Sequence, residues 1–371
     1  MPLVRDRRNQ SPRRSIRRLR GPVVLVAAFV TAMFAPACSI GPETVTRDRF
    51  NYGEALARSQ REEILQNLVR LRYLESPIFL TISTVVNQYS LEGNVDAGFG
   101  WVFGAGAATT SSVGGGGKYY DRPTITYAPM SGEQFVDSYL KPIPQQSLLT
   151  LVQSGYQIDF LFPLMLRSIN GHVNANHMAR KDRFADPEFT RIVELMTTLQ
   201  LAGDLRVRAI PSDPRAEAPR CFLEWSTPDD PAQRDALGEL MGLLGIEEKA
   251  GRAEVVFGEP VEGKIALITR SAMAILVDVS SYVDVPADDV ARGVVRRGMP
   301  SDAATRAPLF VHSSSMEPED PYVSVKHRGM WFWIDETDVE SKACFFALVI
   351  LSNIAERTSD SGGPVLTIPA G

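Results

Sequence analysis

Between residues 94 and 106 the chain changes character at every second position. The odd positions carry Val95, Ala97, Phe99, Trp101, Phe103 and Ala105; the even ones carry Asn94, Asp96, four glycines and Val102. Period two predicts a strand with one face in apolar surroundings. In this reading Ser111 to Gly117 forms a flexible turn and Lys118 to Tyr127 a returning strand, interrupted at Tyr119-Tyr120-Asp121-Arg122-Pro123. Upstream the period is helical. Ile64, Leu65, Leu68 and Leu71 share one face, Arg61, Glu62, Arg70 and Arg72 the other, so a helix is predicted from about Tyr52 to Leu74, ended by Pro77. Ile78 to Val86 is β-branched and reads as a strand.

Helical patterns dominate the middle. Ser131 and Gln134 form a capping box, Pro144 starts a helix and Gly155 ends it. A stripe from Ile158 to Ile169 predicts another helix. Asp186-Pro187 opens the next, which Gly203 stops. Short strands follow at Leu205–Ile210, Cys221–Trp225, Glu254–Phe257 and Lys264–Thr269. A helix starts at Asp230-Pro231, and residues 271–283 look helical. Residues 293–318 read as a loop. Tyr322–Lys326 and Met330–Ile334 flank a turn at His327-Arg328-Gly329, and a helix from Ser341 to Glu356 is apolar all round from Phe345 to Leu351. The fold class is therefore α+β: a helix-rich middle with short strands, a Gly-rich β-hairpin near the N-terminus, and a C-terminal hairpin plus buried helix.

Composition adds location. The 371 residues are 44% hydrophobic and 22% charged, ordinary for a folded protein, and the net charge of −5 argues against a nucleic-acid partner. Charge is unevenly placed. Eight arginines and one aspartate precede the apolar run Val23–Val30, and the segment ends Ala35-Pro36-Ala37-Cys38-Ser39. A basic start, an apolar core and small residues before a cut make an export signal. Cleavage between Ala37 and Cys38 would take the formal charge from −5 to −12, by removing those eight arginines and one aspartate. Ala35-x-Ala37 suits an ordinary signal peptidase with the same cut. An uncleaved anchor would have about 17 apolar residues, the lower edge for spanning.

Ala35-Pro36-Ala37-Cys38 also resembles the lipobox of bacterial lipoproteins, whose cysteine carries acyl chains such as palmitate. That resemblance implies lipidation of Cys38. Ser39 in the next position favours the outer membrane, facing the periplasm. Several stretches carry a wider likeness: Thr46-Arg47-Asp48-Arg49-Phe50-Asn51-Tyr52, Leu68 to Tyr73, Gln88 to Gly93, Arg122 to Tyr127, Gln153 to Tyr156, Ser168-Ile169-Asn170-Gly171, Trp331 to Asp335 and Ser341-Lys342. Together they resemble a family of proteobacterial lipoproteins with no assigned activity. The division expected is a signal peptide at 1–37, a lipid tether at 38–50, a helix and Gly-rich hairpin at 51–130, and an α+β periplasmic domain at 131–371.

The hairpin offers a sharper expectation. A tilted transmembrane strand needs about 9–11 residues, and closed barrels satisfy every backbone group in a bilayer. Val95, Ala97, Phe99, Trp101 and Phe103 would form the lipid face of such a hairpin. The alternatives are a hairpin packed on the protein's own helices, or a Gly-rich loop beside a short strand.

Candidate chemistry is thin. His172 and His177 are five apart, a poor helical spacing for shared ligands, and read as loop polarity. His312 precedes Ser313-Ser314-Ser315 without a nucleophile elbow. His327 reads as a turn residue. Gly114 to Gly117 with Lys118 lacks the Ser or Thr and helix of a phosphate loop. Asp335, Glu336, Asp338 and Glu340 read as helix N-terminal charge. Cys221 and Cys344 sit in apolar settings and read as buried thiols, with pairing in an oxidising compartment left open. No catalytic, cofactor or metal set is expected. The expected role is a non-enzymatic, lipid-anchored envelope component that assembles with itself or an envelope partner. The alternative is a periplasmic binding or adaptor module on a lipid leash.

Overall fold

The computed structural model describes residues 42–100, 110–130, 132–176, 184–210, 220–298 and 308–357. The signal segment, Ala37 and Cys38, Trp101, Phe103, Ser131 and His177 lie outside them. The fold is α+β. Contacts divide the chain into two units, one ending at Ala57 and the other beginning at Arg58.

Helix α1 spans Pro42–Arg72. It starts ten residues before Tyr52, where the helix was expected to begin, so residues 42–50 are helical where a polar tether was expected. Proline suits a first helical position, since its fixed φ is preset and its missing N–H is not needed there. The buried face is Ile64, Leu65, Leu68 and Val69. Full burial of a leucine such as Leu65 or Leu68 contributes roughly 1.5–3 kcal/mol. Arg72, expected on the polar face, is only 6% exposed. Its Nε donates to the Val283 carbonyl at 3.1 Å and its Nη2 to that of Arg296 at 2.7 Å. These bonds to carbonyls make up for its lost hydration.

Strands β1 (Leu80–Gly100) and β2 (Thr110–Pro129) form a two-stranded antiparallel ribbon. Two expectations are corrected here. Ser111 to Gly117 is strand, not turn, paired in order with Phe99 to Gly93, and Tyr119 to Pro123 continue the ladder without interruption. Flexible glycines suggest a turn from sequence, but the partner strand lines up with them. The register shifts once, between Ile82 and Thr84, leaving Ser83 as the extra residue of a bulge.

The remaining elements build the core. After α2 (Gly132–Phe135) and a π-turn at Val136–Leu140 come α3 (Gln145–Gln153) and α4 (Ile158–Met165). The helix expected through Ile169 instead gives way to β3, Leu166–Ile169. An unbroken apolar run does not reveal its period, and here the partner strands decide it. The other elements are β4 (His172–Val173), α5 (Pro187–Ala202), β5 (Leu205–Ile210), β6 (Arg220–Trp225), α6 (Pro231–Leu244), β7 (Arg252–Phe257) and β8 (Ile265–Thr269). The six strands are ordered β4-β3-β8-β7-β6-β5, antiparallel except for β7 beside β8. Asn170 and Gly171 turn β3 into β4 with φ of 45° and 87°. That left-handed pair is the reason for an Asn-Gly at this point of the chain.

Helices α7 (Ala272–Ser280) and α8 (Ala287–Ala291) lead to a three-stranded sheet ordered β10-β11-β9. Its strands are β9 (His312–Ser314), β10 (Val323–His327) and β11 (Met330–Ile334). Strand β9 lies where only a loop was expected; three residues are too few to show a period. The last helix, α9 (Val339–Arg357), buries Phe345 and Leu348 but leaves Phe346 52% exposed, so its apolar run is buried on one side and not all round as expected. Cys221 and Cys344 are buried free thiols, and burial pushes the Cys344 thiol up to about 12.

Candidate functional site

The ribbon leaves the body through a short, heavily fastened root. Helix α1 ends in a tight turn, with the Glu75 N–H donating to the Arg70 carbonyl at 2.8 Å. Leu74 takes the left-handed conformation there, with φ of 59°, and is 73% exposed. A non-glycine residue in that conformation costs about 1 kcal/mol. The neighbouring contacts hold it.

Asn67 is the first of them. It is a polar residue at 1% exposure inside the apolar stripe of α1. Its Nδ2 donates to the Ile78 carbonyl at 2.7 Å, and its Oδ1 accepts from the Ile78 N–H at 2.9 Å. The side chain thus imitates a strand partner for the residue that precedes the ribbon. Glu63 Oε1 accepts from the Leu80 N–H at 3.1 Å, and burial raises its carboxyl above the ordinary range. Phe79, between them, turns inward. Its ring stacks on Tyr139 at 3.8 Å, and its carbonyl accepts from the Met130 N–H, which ties the two ends of the ribbon together.

The C-terminal hairpin supplies a second fastening. Arg328, at φ of 50° in the β10–β11 turn, donates from Nε and Nη2 to Glu75 Oε1 at 2.9 and 2.7 Å. Its guanidinium lies 4.8 Å above the Tyr73 ring. His327 is not the simple turn residue expected from sequence. Gln66 Nε2 lies 3.0 Å from its Nδ1, and the ring Nε2 lies 3.3 Å from Glu75 Oε2. Tyr73 Oη donates to Asp289 at 2.8 Å.

The hydrogen bond from Arg328 holds the Glu75 carboxyl below its usual value. A depressed carboxyl contributes stability that is complete above its unfolded value and lost as pH falls through the folded one. A Glu75→Gln variant is therefore expected to be less stable than wild type at neutral pH, with the difference closing in acid. Denaturant unfolding of both proteins from about pH 7 down to about pH 2 checks this. A gap that stays constant across that range contradicts it.

An open groove of about 660 Å³ runs beside the root, lined by Glu62, Glu63, Gln66, Arg70, Lys326 and Trp331 among others. The other candidates do not assemble. His172 lies in β4, away from loop polarity, and neighbouring Asn174 is buried, donating to the carbonyls of Pro163 and Leu166. His312 stacks on Trp333 at 5.2 Å, while Ser313 Oγ donates to Asp284, so the two do not form a nucleophile and base. Asp338 serves the start of α9, its carboxylate accepting from the Ser341 N–H and Oγ. Among the described residues, no three His, Cys, Asp or Glu could hold a metal ion, and no helix is long and apolar enough to cross a membrane.

Of the expected hairpin face, Val95, Ala97 and Phe99 lie in β1. The root residues Asn67, Glu75 and Arg328 were missed from sequence; the interruption of an apolar stripe by Asn67 was the available signal. The chain matches no family model, no curated protein and no solved structure.

Proposed function

We propose that this chain is a non-enzymatic, lipid-anchored component of the cell envelope, tethered at the outer membrane through acylated Cys38 and facing the periplasm. Its working element is the ribbon, through which copies assemble. One observation carries this reading. The ribbon pairs twenty residues on each strand, and among the described residues no third strand joins it, so both long edges offer backbone groups to a neighbour. At about 3.3 Å per residue it is roughly 65 Å long, well beyond what a bilayer-spanning strand needs. The lipobox resemblance and the likeness to a lipoprotein family point to the same place, and neither a cofactor nor a nucleic-acid partner is part of the reading.

The groove between α1 and the C-terminal hairpin favours a second reading, a periplasmic binding or adaptor module held only by its lipid. Membrane fractionation separates the two. Residues 39–371, exported behind a cleavable signal and lacking Cys38, are expected to stay in the membrane as a large assembly. Deleting residues 94–117 should release them. A soluble monomer with the ribbon intact would overturn the assembly reading and leave the adaptor.

A further inference from the structure

The register assigns the ribbon two unlike faces. From Thr84 to Gly100, every even residue of β1 is paired with an even residue of β2, and every odd with an odd. Period two then puts the even residues of both strands on one face and the odd ones on the other. The stretch Leu91–Gly100 with Thr110–Tyr119 separates them sharply. Its odd positions include Leu91, Val95, Ala97, Phe99, Val113 and Tyr119, and hold no charged residue. Its even positions include Glu92, Asn94, Asp96, Ser112 and Lys118. The return strand, weak when read alone, supplies the matching half of each face.

The dimensions fit a bilayer. The uncharged stretch of the odd face begins at Leu91, paired with Tyr119, because Asp121 stands opposite Tyr89 just before it. From Leu91 to Gly100 the strand rises about 30 Å, or roughly 23 Å of height at the tilt of about 40° typical of membrane barrels. That is close to the apolar band of about 25 Å of such barrels.

Two strands cannot close on themselves, and hydrocarbon leaves no partner for an open edge. The smallest membrane barrels have about eight strands, which corresponds to four ribbons. If β1 of one copy lies beside β2 of the next, antiparallel alternation continues and the head-to-tail repeat closes into a ring.

Charge then sets what the ring would pass. In the register, Glu92 stands opposite Lys118, an opposite-charge pair, but Asp96 stands opposite Gly114 and has no cation across from it. The nearest basic residue beyond Lys118 on the even face is Arg122, opposite Gln88, about 13 Å further toward the root. In the register each copy places one aspartate, with a glycine across from it, at the same height. Rings of Asp or Glu select cations.

We propose that four or more copies of this chain join ribbon edge to ribbon edge, with the even face around an aqueous lumen whose Asp96 ring prefers cations to anions. This rests on the reading of the ribbon as a membrane element. The test uses the full lipidated protein, purified and reconstituted in planar bilayers under a KCl gradient. The expected result is a conductance whose reversal potential favours K⁺. Asp96→Asn should keep the conductance and lower the K⁺-over-Cl⁻ preference at least about threefold, and Asp96→Lys should reverse its sign. The faces are tested by neighbours. Val95→Arg should abolish insertion, whereas Asn94→Arg should leave the assembly intact.

Failures fall at separate points. A membrane-retained oligomer without conductance, or equal behaviour of the Val95 and Asn94 variants, overturns the lumen and spares the membrane ribbon. So does a ribbon found paired with a different barrel protein. A selectivity unmoved by both Asp96 changes overturns the assignment of that ring. An unlipidated chain that never enters the membrane overturns both the lumen and the membrane ribbon.

Discussion

Asn170→Ala is expected to lower stability by about 3 kcal/mol, since three hydrogen bonds are lost at a net of roughly 1 kcal/mol each. Its Nδ2 donates to the carbonyls of Leu244 and Lys264 at 2.7 and 3.2 Å, and its Oδ1 accepts from the Ala266 N–H at 2.6 Å. One side chain thus fastens the end of α6, the loop before β8 and β8 itself. The backbone adds to the loss, because alanine is less tolerant of the left-handed φ at this turn. Equilibrium denaturation of the exported, unlipidated chain without residues 94–117, the form expected to leave the membrane, measures the change. A loss under about 1 kcal/mol would mean that water replaces the side chain at all three positions. Asn170→Gly, which keeps the turn and removes the bonds, separates the two contributions.

Asn67→Ala is the second large effect, expected at about 2–4 kcal/mol because a donor and an acceptor at Ile78 lose their partners at roughly 1–2 kcal/mol each. Unlike Asn170, it acts where the ribbon joins the body. Proteolysis is expected to speed up first at residues 74–80, while the six-stranded sheet keeps its protection, since local openings need not involve the whole fold. Hydrogen exchange resolved by residue follows both regions. Equal loss of protection in the sheet and the root would show that the root is not a separate unit. Asn67→Asp retains an acceptor for the Ile78 N–H and should fall between the two.

Much of the chain could be read locally. The helices with Pro at their starts and Gly at their stops, α5 from Asp186 to Gly203 and α6 from Pro231 to Gly245, follow from side chains that act within one turn. Leu205 to Arg208 alternate apolar and charged residues plainly. What stayed hidden depends on distant partners. Leu166–Ile169 becomes strand because β8 pairs with it, and the parallel match of β7 to β8 across residues 258–264 has no local cue. Gly114 to Gly117 looked like a turn because glycine is permissive; only the register shows them opposite Asp96 to Gly93. The root was invisible for the same reason. Glu75, Gln66 and Arg328 are separated by up to 262 positions in the chain, and nothing near any one of them announces the others.

The bulge at Ser83 bears on how this ribbon can change over generations. On the root side of it, Leu80 and Ile82 pair with Pro129 and Tyr127; on the far side, Thr84 pairs with Thr126. The extra residue shifts the phase of β1 alone, so Leu80 and Ile82 join the same face as Val85, Tyr89 and Leu91. A strand rich in glycine slips easily, and a slip of one residue exchanges its faces. Here the phase is set once, beside the body, and carried outward. Insertion or deletion of one residue beyond Ser83 would invert everything distal to it. Loss or gain of two in each strand would only shorten or lengthen the arm, so its length is free to drift in even steps.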